Sequence, residues 1–292
     1  MSILKIKNVK KRFKENEVIK GVNIEVQKNE IYGFIGSNGS GKTTTMKMIL
    51  GLLKIDAGTI TVCGEKVTFG NTKTNRHIGF LEDVPQFYNY MTAGEYMNLC
   101  MDISNVQLEN KEERILNLLN RVGLRDVTTK IKGYSRGMRQ RLGIAVALIH
   151  KPKLLICDEP TSALDPKGRR DILNILEEIK KDTTIIFSTH ILTDVERISD
   201  RVGVLYNGMI EREWDLNKIE YKRLGVLLRI NETEYQVLKE DIDIKPYSNQ
   251  TYVVYKETLE RIYEILNVKK IYPREIRELR ETLEDMYLRI TS

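Results

Sequence analysis

The chain has no apolar run long enough to cross a bilayer. Its most apolar stretches, near Leu142 to Ile149 and Leu154 to Cys157, fall far short of the roughly 18 to 20 residues a spanning helix needs. Any membrane role is therefore expected to come through a partner. The opening segment, Met1 to Lys11, mixes lysine with isoleucine and valine in a strand-like rhythm and carries no uninterrupted apolar segment of signal-peptide type, so export is not expected. Cysteine is scarce: Cys63, Cys100 and Cys157 are three in number, lack metal-ligand spacing, and are expected to act as small buried hydrophobes. A strong excess of one charge is also missing. The 47 basic and 41 acidic residues leave +6, spread along the chain, which keeps nucleotide, nucleic acid and anionic lipid open as partners. With 41% hydrophobic and 30% charged residues, disorder is not expected, and 292 residues suit one large unit plus an accessory piece.

Early in the chain, Ile3, Ile6 and Val9, then Val18, Val22, Ile24 and Val26, alternate with polar residues and predict antiparallel strands. Ile31 to Ile35 reads as a buried strand. It runs into Gly36, Ser37, Asn38, Gly39, Ser40, Gly41, Lys42, Thr43 and Thr44, after which Met46, Ile49, Leu50 and Leu53 recur at helical spacing. Strand, glycine loop and helix is the order a phosphate loop requires. The glycines permit backbone conformations that cost other residues about 1 to 2 kcal/mol each, letting successive amide N–H groups converge on phosphate oxygens. The helix N-terminus adds positive potential; Lys42 is expected to reach the β- and γ-phosphates, and Thr43 to offer a hydroxyl to Mg²⁺.

The second half of such a site lies far downstream. Leu154 to Cys157 reads as a fully buried parallel strand that ends in Asp158-Glu159-Pro160. Adjacent acids at the end of a buried strand are costly unless they serve a cation or a reaction. Asp158 is expected to hold Mg²⁺, and Glu159 to polarise the water that attacks the γ-phosphate.

Tyr134-Ser135-Arg136-Gly137-Met138, just upstream of that strand, resembles the signature motif of the ABC ATPase family. The family's usual form is Leu-Ser-Gly-Gly-Gln; this chain keeps the serine and the second glycine and departs at the other three positions. Serine and glycine at a helix start supply the hydroxyl and free N–H groups that an anion needs. The resemblance, which covers nearly all of the first 210 residues, implies further roles. Phe13 matches the aromatic that stacks on adenine, and Asp165 lies in the segment that meets a second subunit. His190, ending the strand-like run Ile185 to Thr189, matches the switch histidine that contacts the γ-phosphate and orients Glu159. Where the family has glutamine or glutamate as a Mg²⁺ sensor, this chain places Asp83, which puts direct metal contact there in question. Arg136 reads as a solvated surface residue or an added cation near the phosphates.

The expected fold is α/β: a P-loop NTPase of ABC ATPase type with an antiparallel β subdomain and a helical subdomain, followed by a small α+β C-terminal domain. The boundaries are expected at 1–212, with the helical subdomain at about 84–150, and 213–292. In the C-terminal part, Val226 to Ile230 and Tyr252 to Tyr255 suit strands, and Leu259, Ile262 and Leu266 a helix. Ile276, Leu279, Leu283, Met286 and Ile290 predict one further helical stripe. The aromatic stretch Pro85 to Met91 reads equally as a docking surface or as an anchor for the helical subdomain.

ATP with Mg²⁺ is thus the expected ligand pair. The partners implied are an integral-membrane permease and a second ATPase subunit, with a homodimer expected, two ATP molecules held between head-to-tail copies, and no nucleic acid. The place implied is cytoplasmic, peripheral on the inner face of the cell membrane. The tail from Thr282 to Thr291 is similar to ATPases of ABC-2-type exporters. An ABC-type ATPase acting on nucleic acid or ribosomes is the alternative. Against it, the interval between Lys42 and Leu154 is too short for the long coiled-coil insertion of repair ATPases, and only one phosphate loop is present where translation ATPases carry two cassettes.

Overall fold

The computed structural model describes residues 1–71, 73–104, 110–125 and 127–291, and divides into two units, Met1–Lys218 and Ile219–Ser292. The first opens with the long antiparallel pair β1 (Ser2–Phe13) and β2 (Asn16–Gln27), followed by β3 (Ile31–Ile35) and α1 (Lys42–Ile49). Next come β4 (Ala57–Val62), β5 (Glu65–Lys66), β6 (Ile78–Leu81) and the helices α2 (Ala93–Ile103), α3 (Lys111–Arg121) and α4 (Arg136–Ala147). The unit closes with β7 (Leu154–Asp158), α5 (Pro166–Ile179), β8 (Thr184–Thr189), α6 (Leu192–Ile198), β9 (Arg201–Tyr206) and β10 (Met209–Asp215). Strand β10 continues through residue 212, so the first unit runs on to Lys218.

Two sheets build this unit. The antiparallel sheet has the order β2-β1-β4-β5, and the larger sheet the order β10-β9-β3-β8-β7-β6. In the larger sheet β9, β3, β8, β7 and β6 are parallel, and β10 returns antiparallel at one edge. Every residue of β3, β7 and β8 is buried. That is why they read as continuous apolar runs, whereas β1 and β2 alternate. Buried residues of both sheets, among them Leu4, Ile6, Val22, Phe34, Ile156 and Ile186, form one core together with Met46 and Ile49 of α1.

Helix α1 stops at Ile49, earlier than the spacing through Leu53 predicts. Gly51 takes a left-handed conformation with φ 69° and returns its N–H to Met48 O, a glycine stop just past the helix end. Leu53 still packs against the core from the following turn. The cysteines differ from one another: Cys157 is fully buried, with its thiol pushed up by burial, whereas Cys63 and Cys100 are only partly buried.

The second unit comprises β11 (Arg223–Arg229), α7 (Glu232–Leu238), β12 (Ile244–Ser248), β13 (Thr251–Val254), α8 (Leu259–Val268), β14 (Glu275–Arg280) and α9 (Leu283–Thr291). Its sheet order, β12-β13-β11-β14, with all pairs antiparallel, is the split βαβ arrangement of ferredoxin-like domains. Both sheet edges are blunted, β12 by Pro246 and β14 by alternating arginine and glutamate. The single helical stripe expected from Ile276 to Ile290 is corrected: Ile276 and Leu279 belong to β14, where they pair with Leu228 and Gly225. The helix begins only after Thr282, whose hydroxyl accepts from Asp285 N while Asp285 Oδ2 accepts from Thr282 N, a capping box.

Val226, Leu228, Tyr252, Val254, Ile262 and Leu266 form this unit's own core. Leu228 is fully buried. Leu228→Ala is expected to destabilise the unit by about 2 to 5 kcal/mol, read from the urea midpoint of its unfolding.

Candidate active site

Four neighbouring strands deliver the site. In the parallel run β3-β8-β7-β6, the carboxyl ends lead directly into Gly36, His190, Asp158-Glu159 and the segment holding Asp83. One sheet edge therefore gathers residues that are far apart in sequence, at the end of the strands where open α/β sheets bind ligands.

The glycine loop is shaped by close approach and by left-handed backbone. A Cβ at Gly36 would stand 2.6 Å from both Leu205 O and Ser40 Oγ, and Gly41 has φ 109° with Ile19 Cδ1 2.5 Å from its missing Cβ. Gly41 is also the N-cap of α1, with no side-chain cap of its own, so the first-turn amides of Thr43 and Thr44 open toward the loop's concavity. Lys42 is 6% exposed. Its ammonium donates to Gly36 O at 2.7 Å and Ser37 O at 3.3 Å and lies 3.5 Å from Glu159 Oε1.

Asp158 is held from both sides. Thr43 Oγ1 donates to its Oδ2 at 2.7 Å, and Ser188 Oγ to its Oδ1 at 2.6 Å. Ser188 Oγ also accepts from the backbone N–H of Glu159 at 3.0 Å. Glu159 itself sits at φ 48°, a left-handed position unusual for a side-chain-bearing residue and a recurrent mark of functional sites. Its Oε2 lies 2.9 Å from His190 Nδ1, while its buried Oε1 has no hydrogen-bond partner.

Asn38, Gly39, Gly41, Lys42, Thr43, Thr44, Asp83, Asp158 and Glu159 line one open depression. A second depression beside it is lined by Val18, Ser37, Asn38, Gly39, Ser40 and Tyr206, among others. Phe13, where β1 pairs with Asn16 of β2, is 44% exposed and has Lys11 Nζ 5.3 Å from its ring centroid, so it is not a core residue.

Ser135 and Gly137 stand at the start of α4, with Ser135 as N-cap accepting from Met138 N at 3.2 Å. Asp165 is the N-cap of α5 and accepts from Gly168 N at 3.1 Å. Asp83 is tied to α4 twice: its carboxylate pairs with Arg136 at 3.2 Å, and its carbonyl accepts from Gln140 Nε2 at 2.5 Å. Arg136 is thus an exposed surface residue, as one of the two expectations had it, with its guanidinium paired to Asp83, and it does not line the phosphate depression.

The aromatic stretch divides. Phe87 meets Tyr96 of α2 edge-on at 5.1 Å and Tyr88 meets the same ring edge-on at 6.0 Å, while Tyr88 also stacks on Tyr90 at 5.8 Å and the two tyrosines are 53% and 64% exposed. The stretch therefore contains both an anchor and an exposed aromatic surface.

Ser188 and Gln140 were not singled out from sequence. Ser188 carried a signal, a hydroxyl directly after the apolar run Ile185 to Phe187 in a buried strand, where polar groups persist only with partners. Among the described residues no cluster of three or more histidine, cysteine or acidic side chains could hold a metal. The oxygen pair of Thr43 and Asp158 instead suits a cation that shares its shell with phosphate and water.

Chemically, the assembled groups can cradle a polyphosphate, neutralise it with Lys42 and receive a proton at Glu159. The comparisons with known proteins agree. The profile described as ABC transporter matches residues 19–162. YxlF of Bacillus subtilis (strain 168), an ABC transporter ATP-binding protein, is 36% identical across 99% of either chain. The bacitracin transport ATP-binding protein BcrA of Bacillus licheniformis is 35% identical over 90% of this chain and 85% of its own. The solved dimeric ATP-binding cassette MJ0796, in a post-hydrolysis state bound to ADP and Pi, superposes with a TM-score of 0.66 and is 26% identical, covering 74% of this chain and all of its own. These matches leave the nucleic-acid alternative without support. A chain with this phosphate loop, this Asp158-Glu159 pair and relatives alike along its whole length belongs to the ABC transporter ATP-binding proteins, a family of ATPases.

Proposed function

We propose that the chain powers a separate membrane permease, and that it does so as a homodimer with an ATP bound between each phosphate loop and the Ser135–Gly137 segment of the opposite copy. The observation that carries the hydrolytic step of this reading is the Glu159 carboxylate, bonded to His190 on one oxygen and left with a bare, buried second oxygen beside Lys42. Relatives described by bacitracin and lantibiotic transport support an export role. No helix among the described residues is long and apolar enough to cross a membrane, so we place the chain at the cytoplasmic face through its permease. Tyr88 and Tyr90 supply the exposed aromatic surface for that docking.

In this scheme the loop amides from Ser37 to Thr44 and the Lys42 ammonium grip the β- and γ-phosphates, and Phe13 stacks on the base. Thr43 and Asp158 are the residues that would hold Mg²⁺, which would supply positive charge to offset that of the phosphates. Asp83 stays paired with Arg136 in this scheme and is not counted among the residues that would hold the ion. A water attacks the γ-phosphorus as the bond to the bridging oxygen breaks. Glu159 Oε1 takes the water's proton, and His190 keeps the carboxylate aimed. The products, ADP and phosphate, no longer span the two copies, and the dimer opens.

Gly137 tests the shared site. A Cβ there meets nothing nearer than Leu164 Cδ2 at 3.9 Å within its own molecule, and Gly137 is in the first turn of α4, where aspartate is favourable, so Gly137→Asp is expected to fold. ATP affinity of the single copy should remain within threefold of native. ATP-dependent dimerisation, followed by light scattering, should vanish, because a carboxylate would face the other copy's phosphates. Dimerisation of Gly137→Asp at native ATP concentrations would refute the shared site.

A further inference from the structure

Thr161, Arg169 and Asp194 form a cluster that none of the roles above uses. Asp194, on α6, is 2% exposed and Thr161 is fully buried. Thr161 Oγ1 donates to Asp194 Oδ2 at 2.7 Å; Arg169 of α5 donates to Oδ1 through Nη2 at 2.6 Å and Nε at 3.2 Å. Arg169 Nη2 also reaches Thr193 Oγ1 at 3.1 Å. A buried carboxylate is tolerated only when charge and hydrogen bonds compensate it, and here both oxygens are taken.

The place of this cluster in the chain gives it meaning. Glu159 begins a tight turn, closed by Ser162 N donating to Glu159 O at 3.1 Å, and Thr161 lies inside that turn. Asp194 follows His190 by one turn of chain, with its own N–H on Ile191 O at 3.1 Å. Together with the 2.9 Å contact between His190 and Glu159, the Thr161–Asp194 bond closes a ring: Glu159 to Thr161 along one strand exit, across to Asp194, back to His190, and across to Glu159. Arg169 braces that ring from the helix that Asp165 caps. Glu159 in its left-handed conformation has few ways to hold its carboxylate in line, and the ring supplies one.

We propose that Asp194, through Thr161, is a positioning residue that locks the Glu159–His190 pair for hydrolysis without touching nucleotide. This inference rests on Glu159 and His190 acting as described under the proposed function. It predicts a split between kcat and KM, because the phosphate loop that binds ATP lies outside the ring.

The test is steady-state ATP hydrolysis by the purified full chain. Asp194→Asn and the isosteric Thr161→Val should each lower kcat tenfold or more while KM for ATP stays within twofold. Thr161→Ser, which keeps the hydroxyl, should stay within threefold of the native kcat. The double variant should be no slower than the slower single one, since both act through the same Thr161–Asp194 contact. Native kcat in both Asp194→Asn and Thr161→Val, alongside a dead Glu159→Gln control, would overturn the positioning role alone. So would a Thr161→Ser chain as slow as Thr161→Val, or effects that multiply in the double variant. An active Glu159→Gln control would remove the reading of Glu159 and this proposal with it. Should Asp194→Asn fail to fold, the Thr161→Val and Thr161→Ser pair decides the matter.

Discussion

Glu159→Gln should stop turnover while leaving ATP bound, with kcat down by about 10² to 10⁴, the range over which a positioned general base contributes. The amide keeps the shape of the side chain and can still meet His190 Nδ1, but it cannot accept the proton of an attacking water. The glycine loop, Thr43 and Asp158 are untouched, because Asp158 draws its hydrogen bonds from Thr43 and Ser188 and not from Glu159. Loss of the negative charge 3.5 Å from Lys42 also frees that ammonium for phosphate. Bound ATP should therefore persist and hold the two copies together. A stable dimer of Glu159→Gln on gel filtration with Mg-ATP, absent with Mg-ADP, is the expected outcome. A monomer under both conditions, with turnover near native, would mean that the proton goes elsewhere.

Lys42→Ala should strike binding instead. The ammonium is nearly buried and is held by two carbonyls of its own loop, so its position is fixed before any nucleotide arrives. Hydrogen bonds to charged groups contribute about 1.5 to 3 kcal/mol each, which sets the expected loss of ATP affinity at roughly 10- to 100-fold or more. The side-chain loss also leaves Glu159 Oε1 without a cation nearby, so turnover should fall further than affinity. Equilibrium titration with a fluorescent ATP analogue, next to the same titration with Glu159→Gln, separates the two effects: the first variant should bind weakly, the second tightly. An unchanged affinity in Lys42→Ala would transfer phosphate recognition to the loop amides alone.

What was legible in the sequence was chemistry tied to residue identity at short range. Gly36 to Thr44 announce themselves because only glycine suits Gly36 and Gly41, and because lysine and threonine follow at fixed spacing. The Asp158-Glu159 pair stands out because two acids end an apolar strand. Groups whose meaning depends on distant partners stayed hidden. Thr161 and Asp194 look like ordinary polar residues until folding brings their segments together, and Gln140 resembles any helix residue until its amide is seen on the Asp83 carbonyl. In the second unit, Ile276 and Leu279 are spaced to suit a helix, but pairing with β11 decided for a strand. Two boundary signals stand in the sequence itself: the stop at Gly51 after α1, and the start at the Thr282–Asp285 capping box ahead of α9.

The double grip of α4 on Asp83 has a mechanical consequence. Arg136 and Gln140 stand one helical turn apart, and one holds the carboxylate while the other holds the carbonyl. A helix that seizes a segment at two points transmits rotation as well as pull, like a crank keyed to its shaft. Under the docking proposed above, a push delivered at Tyr88 and Tyr90, a few residues along the same segment, would act on a stretch that α4 holds at two points beside the phosphate edge.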